Sequence, residues 1–333
     1  MGLRRRKMKD LIFIAEKINP PLLKKLEETK LCEMFIDETL WQRQEELIGK
    51  VKDATIIVAK TLTQITKDVI EAAPGLKLIA RDGIGLENVD VDTATAKGIP
   101  ITMPMGANAV TVAEFAVGLT LSLLRQIVFS HVPLKTTGEW QRFKFFGKTT
   151  ELYGKTVGIV GLGAIGYQTA RRLQGFGVKI LGYDPYVGKN RALEVGCEMT
   201  NLQELLAQSD VVILHAPQTA ETTGMIGEAE LKLMKNTAYI VNVARAPLIQ
   251  HEALYKALSE KWIAGAALDV FHKEPINPDD PLLQLDNVIV TPHHAGGSIE
   301  STQRMAEYTF EDIVRALKGE PVLHYVNIPM LRK

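Results

Sequence analysis

The sequence predicts an α/β protein with parallel sheets, and three observations carry that expectation. Short apolar runs alternate with segments of helical pattern along nearly the whole chain. Thr156 to Gly166 reads TVGIVGLGAIG, an apolar run that leads straight into a glycine-rich turn and then a helix-forming segment, Tyr167 to Leu173. The length, 333 residues, allows one large or two medium domains, each with a real core.

Taken in order, strands are expected at 11–15, 32–36, 56–59, 76–81 and 101–102, with helical segments such as 21–29 and 67–73 between them. A long apolar helix is expected over 109–129, with Asn108 as its N-cap. From 133 to 153 aromatics and charges mingle without a period (Trp140, Phe143, Phe145, Phe146), which predicts an irregular connection packed on the surface. Strands resume at 157–160, 178–183, 211–216, 239–242, 264–268 and 288–291. A last helix over 298–317 should stop near Gly319, with Pro321 just beyond. No internal repeat or low-complexity tract is seen. The glycine-rich unit therefore sits in the second half, after an independent α/β block. Two domains with a cleft between them follow, and such clefts commonly take small ligands.

Composition narrows the partners. Lysine plus arginine balance aspartate plus glutamate at 39 each, so no global field favours nucleic acid or an anionic membrane. The one basic run, Arg4-Arg5-Arg6-Lys7, precedes only five apolar residues, too few for a signal peptide. No apolar stretch approaches the roughly 20 residues of a membrane span. Cys32 and Cys197 lie far apart in sequence and suit a reduced compartment. A soluble cytoplasmic protein is the simplest expectation.

The glycine turn points to a dinucleotide. Gly161 makes the tight turn, Gly163 lets backbone approach a pyrophosphate, and Gly166 lets helix and strand pack closely. The next strand ends in Asp184, roughly twenty residues on, where a carboxylate would hydrogen-bond a ribose.

Three later segments place polar residues just beyond strands, at the end of the sheet that faces a ligand. They contain Arg245, then Asp269 and Glu274, then His293. Arginine, glutamate and histidine suit hydride transfer to a 2-oxo acid. Negative charge develops on the carbonyl oxygen, and histidine is an apt acid near neutral pH. A glutamate on the far ring nitrogen favours the imidazolium and fixes the ring. Arginine offers a planar fork to a carboxylate. Each has a plainer explanation: a surface ion pair for Arg245, a solvated turn for Glu274, a satisfied loop for His293, and His294 is a rival for the proton. Their combination after the glycine turn favours chemistry.

With these motifs, together with Gly83-Ile84-Gly85-Leu86-Glu87-Asn88-Val89-Asp90, Val112-Ala113-Glu114 and His215-Ala216-Pro217, the sequence resembles the D-isomer-specific 2-hydroxyacid dehydrogenase family. The phosphoglycerate dehydrogenase and glyoxylate/hydroxypyruvate reductase branches look nearest. The resemblance implies two Rossmann-like or flavodoxin-like domains: a substrate domain of residues 1–105 plus 298–333, and an NAD-binding domain of 106–297. It implies NAD as cofactor, no metal, a small 2-oxo or 2-hydroxy acid as substrate, and a homodimer with contacts on the helix from Ala109. By resemblance Arg245 binds substrate, His293 is the acid/base and Glu274 its partner. Asp269 would contact the nicotinamide carboxamide, Val243 and Ala244 would lie along the ring, and His293 and Gly296 would border the cofactor. Ala164 and Ile165 would present backbone to the pyrophosphate, Asp184 would select NAD over NADP, and His215, Pro217 and Thr222 would line the ribose. Lys60, Ile84, Gly85 and Asn108 match substrate-binding positions.

Several departures bear on substrate. Ala246-Pro247 follows Arg245 where glycine is usual, and Gln250 stands where aspartate is usual. Asp82 occupies a commonly small position, where it would repel a second anionic group and accept hydrogen bonds from hydroxyls. Lys60 and Arg81 pull towards a phosphorylated substrate. The chain runs out near the close of the catalytic core, which argues against an appended serine-sensing domain. Glutamate at 274 argues against formate. Alternatives are an NAD(H)-sensing corepressor-like binding protein and a phosphite-type dehydrogenase.

Overall fold

Runs of β-branched and leucine residues fully buried on both faces are what a parallel sheet covered by helices requires. The chain forms two such sheets in a computed structural model that describes residues 10–327. The basic run Arg4 to Lys7 lies outside the described residues. The chain divides into one unit of residues 1–108 and 298–333 and a second of residues 109–297.

The first unit holds β1 (Leu11–Ile14), β2 (Glu33–Ile36), β3 (Ile56–Ala59), β4 (Leu78–Arg81) and β5 (Ile101–Thr102). All are parallel, in the order β2-β1-β3-β4-β5. The period of two sends Phe13, Ile57 and Ile79 to one core and Ile12, Ile14, Val58 and Leu78 to the other. Helices Pro20–Thr29 and Ile299–Lys318 cover the second face. The latter is capped by Ser298, whose hydroxyl accepts the Ser301 amide at 3.0 Å, and ends on Gly319 in the left-handed region, φ 75°.

The second unit holds β6 (Thr156–Val160), β7 (Lys179–Tyr183), β8 (Cys197–Met199), β9 (Val211–Leu214), β10 (Tyr239–Asn242), β11 (Gly265–Leu268) and β12 (Val288–Val290). The order β12-β11-β10-β9-β6-β7-β8 is parallel throughout and reverses direction between β6 and β9. Helices Ala109–Leu124 and Ala164–Leu173 pack on one face of this sheet.

Three expectations need correction. The helix expected over 109–129 is two helices, Ala109–Leu124 and Ile127–Thr137, bent by 71°. Gln126 takes φ 55°, and its side chain donates to the Leu123 carbonyl at 2.8 Å, closing the first helix. The irregular stretch expected from 133 begins later, because the second helix runs through Pro133. There the hydroxyls of Thr136 and Thr137 bond back to the carbonyls of Val132 and Pro133. Nor do the aromatics of this segment pack down: Trp140, Phe143 and Phe146 are exposed. The edge strand β8 was not expected at all. Among the described residues no single helix is long and apolar enough to cross a membrane.

Candidate active site

The glycine turn lies at the carboxyl end of β6, beside the reversal of strand order, where open α/β sheets hold ligands. Gly161 has φ 92°, and a Cβ there would sit 2.6 Å from the Ala216 amide nitrogen. A Cβ on Gly166 would lie 2.0 Å from the Gly161 carbonyl oxygen, so the first turn of the helix presses on the loop. Gly163 differs: a Cβ there would meet nothing within 4 Å. The space over Gly163, at the N-terminus of helix Ala164–Leu173, is the one a pyrophosphate needs.

Asp184 follows β7. Its Oδ2 accepts the Leu162 amide at 2.8 Å and its Oδ1 the Tyr186 amide at 2.9 Å, tying the carboxylate to the glycine turn. Behind the turn, His215 Nε2 lies 2.9 Å from the Thr169 hydroxyl, and burial pushes its pKa down to about 3. Thr222 folds over its loop, its hydroxyl donating to the Pro217 carbonyl at 2.7 Å. Glycine turn, carboxylate and sheet topology together fit a dinucleotide.

The carboxyl ends of β10, β11 and β12 stand side by side, with Asn242 in register with Leu268 and Leu268 with Val290. Just beyond them come Arg245, Glu274 and His293. Arg245 is half-buried, its Nη1 donating to the Ala244 carbonyl at 2.8 Å. The Asn242 side chain steadies this turn, donating to the Arg245 carbonyl at 3.0 Å and accepting the Ala244 amide at 3.1 Å. Ala246-Pro247 opens a short 3-10 helix, Ala246–Leu248, in which proline at the first turn is well tolerated. Gln250 reaches the Gly224 carbonyl at 3.2 Å.

Asp269 is fully buried. Its Oδ1 accepts the Thr291 hydroxyl at 2.6 Å and the His294 amide at 3.1 Å, and its Oδ2 the Ala295 amide at 2.8 Å. It therefore clamps the turn that carries His293. His293 sits on that turn at φ 50°, and its Nδ1 lies 2.6 Å from Glu274 Oε2. The other oxygen, Oε1, accepts the Phe271 amide at 3.0 Å. Both side chains are partly open to solvent. His294 is built differently: its ring meets Phe115 edge-on at 4.8 Å and its Nδ1 is 3.6 Å from Asp269. Glu274 thus singles out His293.

In the first unit Lys60 directly follows β3, and the loop of Ile84 and Gly85 follows β4. Gly85 N donates to Met103 Sδ at 3.1 Å, a weak acceptor that an anion would replace readily. Asn108 closes the first segment of this unit. Asp82 departs from expectation. It is fully buried and gives both oxygens to Asn19, so it accepts nothing directly from a substrate hydroxyl. Asn19 and Glu16 were missed by sequence reasoning, since only the folded sheet brings them to Lys60.

Fold, glycine turn and polar strand ends define a dinucleotide-binding α/β protein. Residues 117–295 match the family model described as D-isomer specific 2-hydroxyacid dehydrogenase, NAD binding domain. The chain is 43% identical over 319 residues to D-3-phosphoglycerate dehydrogenase of Methanocaldococcus jannaschii, covering 96% of this chain and 59% of that one. It is 41% identical to glyoxylate reductase of Thermofilum pendens, covering 96% and 95%. A solved NADPH-dependent glyoxylate/hydroxypyruvate reductase from Sinorhizobium meliloti, in complex with NADP and malonate, superposes with TM-score 0.84 at 30% identity, covering 96% of this chain and 97% of that one. The chain spans little more than half the length of the phosphoglycerate dehydrogenases it matches. The chain belongs to the D-isomer-specific 2-hydroxyacid dehydrogenase family.

Proposed function

We propose that the chain reduces a small 2-oxo acid to its D-2-hydroxy acid with NADH, and runs the reverse reaction with NAD. The observation that carries this is the His293–Glu274 pair at 2.6 Å, held beside Arg245 on adjacent strand ends of a dinucleotide-binding sheet. When bound, the nicotinamide supplies the hydride. The residues of the chain manage charge and protons. Arg245 holds the substrate carboxylate and polarises the carbonyl through its planar fork. His293, entering as imidazolium, delivers the Nε2 proton to the carbonyl oxygen and ends neutral. Glu274 remains on Nδ1 throughout and keeps Nε2 aimed outward. In the oxidative direction His293 takes the proton back. Asp184, beside the glycine turn at the end of β7, favours NAD over NADP by repelling a 2′-phosphate. The exposed apolar side chains of Ile127, Val132, Trp140, Phe143 and Phe146 support a homodimer held by this segment, which sedimentation equilibrium checks.

The test is NADH consumption by purified protein with glyoxylate, hydroxypyruvate, pyruvate and 3-phosphohydroxypyruvate in parallel. Turnover of at least one is expected. NADH binding without turnover of any would favour a sensor over an enzyme.

A further inference from the structure

Arg245 and Glu274 stand on loops that leave neighbouring strands, β10 and β11. The ladder between those strands ends where Asp269 N donates to the Asn242 carbonyl at 3.0 Å. Each loop is fastened on its outer side. The Arg245 loop is bound to the loop after β9 by main chain: Gly224 N donates to the Pro247 carbonyl at 2.7 Å, Ile226 N to the Leu248 carbonyl at 3.0 Å, and Gln250 N to the Ile226 carbonyl at 3.0 Å. The Glu274 loop is bound to the loop after β12 through Asp269 and through Glu274 itself, on His293.

Between the two loops stands His272. Its Nε2 lies 3.0 Å from the Ile249 carbonyl oxygen. A carbonyl only accepts, so Nε2 carries the hydrogen. Ile249 is buried, and its own amide donates to the Ala246 carbonyl at 3.0 Å. The acceptor is thereby fixed at the end of the short helix Ala246–Leu248, which begins directly after Arg245. The donor is braced too. His251 meets the His272 ring edge-on, with centroids 5.6 Å apart and an interplanar angle of 85°. His251 Nε2 in turn lies 3.1 and 3.3 Å from the two carboxylate oxygens of Asp280, which caps the 3-10 helix Pro281–Gln284 by accepting the Leu282 amide. The His272 side chain is otherwise exposed, so exchanging it empties no core.

The reach from this bond to Glu274 is short. Glu274 lies two residues beyond His272, and its Oε1 takes the amide of Phe271, the residue before. The carboxylate thus closes a turn with His272 inside it, and moving His272 moves the oxygen that His293 Nδ1 meets at 2.6 Å. We propose that His272 is a positioning residue: it ties the turn that holds Glu274 to the loop that holds Arg245, and so sets the histidine–glutamate pair against the carboxylate-binding fork. This rests on the reductase reading above. Every residue in it belongs to the unit of 109–297. Loss of the tie should be felt in proton transfer rather than in substrate binding, because the Arg245 loop keeps its main-chain bonds to the loop after β9.

The test compares wild type with His272→Phe, which keeps a ring against His251 and loses the donor, and His272→Gln, whose amide can donate from the place of Nε2. With glyoxylate and NADH, His272→Phe should lower kcat about fivefold, the scale of one hydrogen bond, while KM and the NADH dissociation constant from fluorescence titration hold. The alkaline limb of its kcat profile should move to lower pH, because a carboxylate less firmly set on Nδ1 favours the imidazolium less. His272→Gln should recover most of both changes. If His272→Phe keeps the wild-type kcat and profile, the positioning proposal falls while the reductase reading stands. It falls equally if kcat, KM, NADH affinity and Tm worsen together with the pH profile unmoved, since the bond would then serve stability alone. If wild type turns over no 2-oxo acid, the reductase reading falls and takes this proposal with it.

Discussion

His293 Nδ1 stands 2.6 Å from Glu274 Oε2, so the ring nitrogen left for a substrate is Nε2. The turn bearing His293 is fastened from below by Asp269, and the strand beneath Glu274 is the neighbour of the strand beneath Arg245. His293, Glu274 and Arg245 are thus set by one sheet, and the role proposed for each can be challenged separately.

Arg245→Lys should chiefly raise KM for the 2-oxo acid, because an ammonium cannot reproduce the bidentate fork. Steady-state kinetics check this. A KM at the wild-type value would mean that the carboxylate is held elsewhere.

Asp184→Ala should lower the preference for NADH over NADPH. Because Asp184 also accepts the Leu162 amide at 2.8 Å, affinity for both cofactors should fall, and the ratio is the quantity to follow. An unchanged ratio would remove Asp184 from the ribose.

The glycines of the turn should separate stability from binding. Gly166→Ala places a carbon 2.0 Å from a backbone oxygen, an overpacking that should cost about 1–3 kcal/mol and lower Tm. Gly163→Ala meets open space within the protein, so Tm should hold while NADH binding weakens. Calorimetry and NADH fluorescence titration on both variants check the contrast.

Stability should respond to pH at Asp82. Burial, opposed by the Asn19 bonds and the Lys60 charge, raises its pKa to about 6 from an ordinary 3.8. A carboxyl whose pKa is raised on folding contributes its stability fully below the unfolded value and loses it as pH rises through the folded one. Wild type should therefore lose about 2 kcal/mol at this site between pH 4 and 7, and Asp82→Asn should not. Urea unfolding of both proteins across that range checks it. Parallel pH profiles would show that Asp82 titrates as in the unfolded chain.

Most of the framework was legible because a parallel strand covered on both faces must be apolar throughout. Runs such as Ile56–Ala59 and Val211–Leu214 announce themselves, with ends off by a residue or two. The strand Cys197–Met199 was hidden, being a three-residue edge with a glutamate at its centre. The break at Gln126 was hidden too, since neither proline nor glycine marks the residue that takes the left-handed φ there. The positions of Arg245, Glu274 and His293 just beyond strand ends were legible. The Asn19–Lys60–Asp82 bridge was not, because residues 41 and 63 positions apart meet only through the sheet. The adjacent prolines at 20 and 21 were the available clue, as they leave an N-terminal asparagine nothing to cap.

The most direct measurement sets wild type, His293→Ala and His294→Ala side by side in NADH oxidation with glyoxylate or hydroxypyruvate. Loss of the general acid predicts that His293→Ala falls roughly 100-fold or more in kcat, while His294→Ala stays near wild type. Full turnover in His293→Ala, with His294→Ala inactive, would contradict the assignment of the proton to the histidine that Glu274 holds.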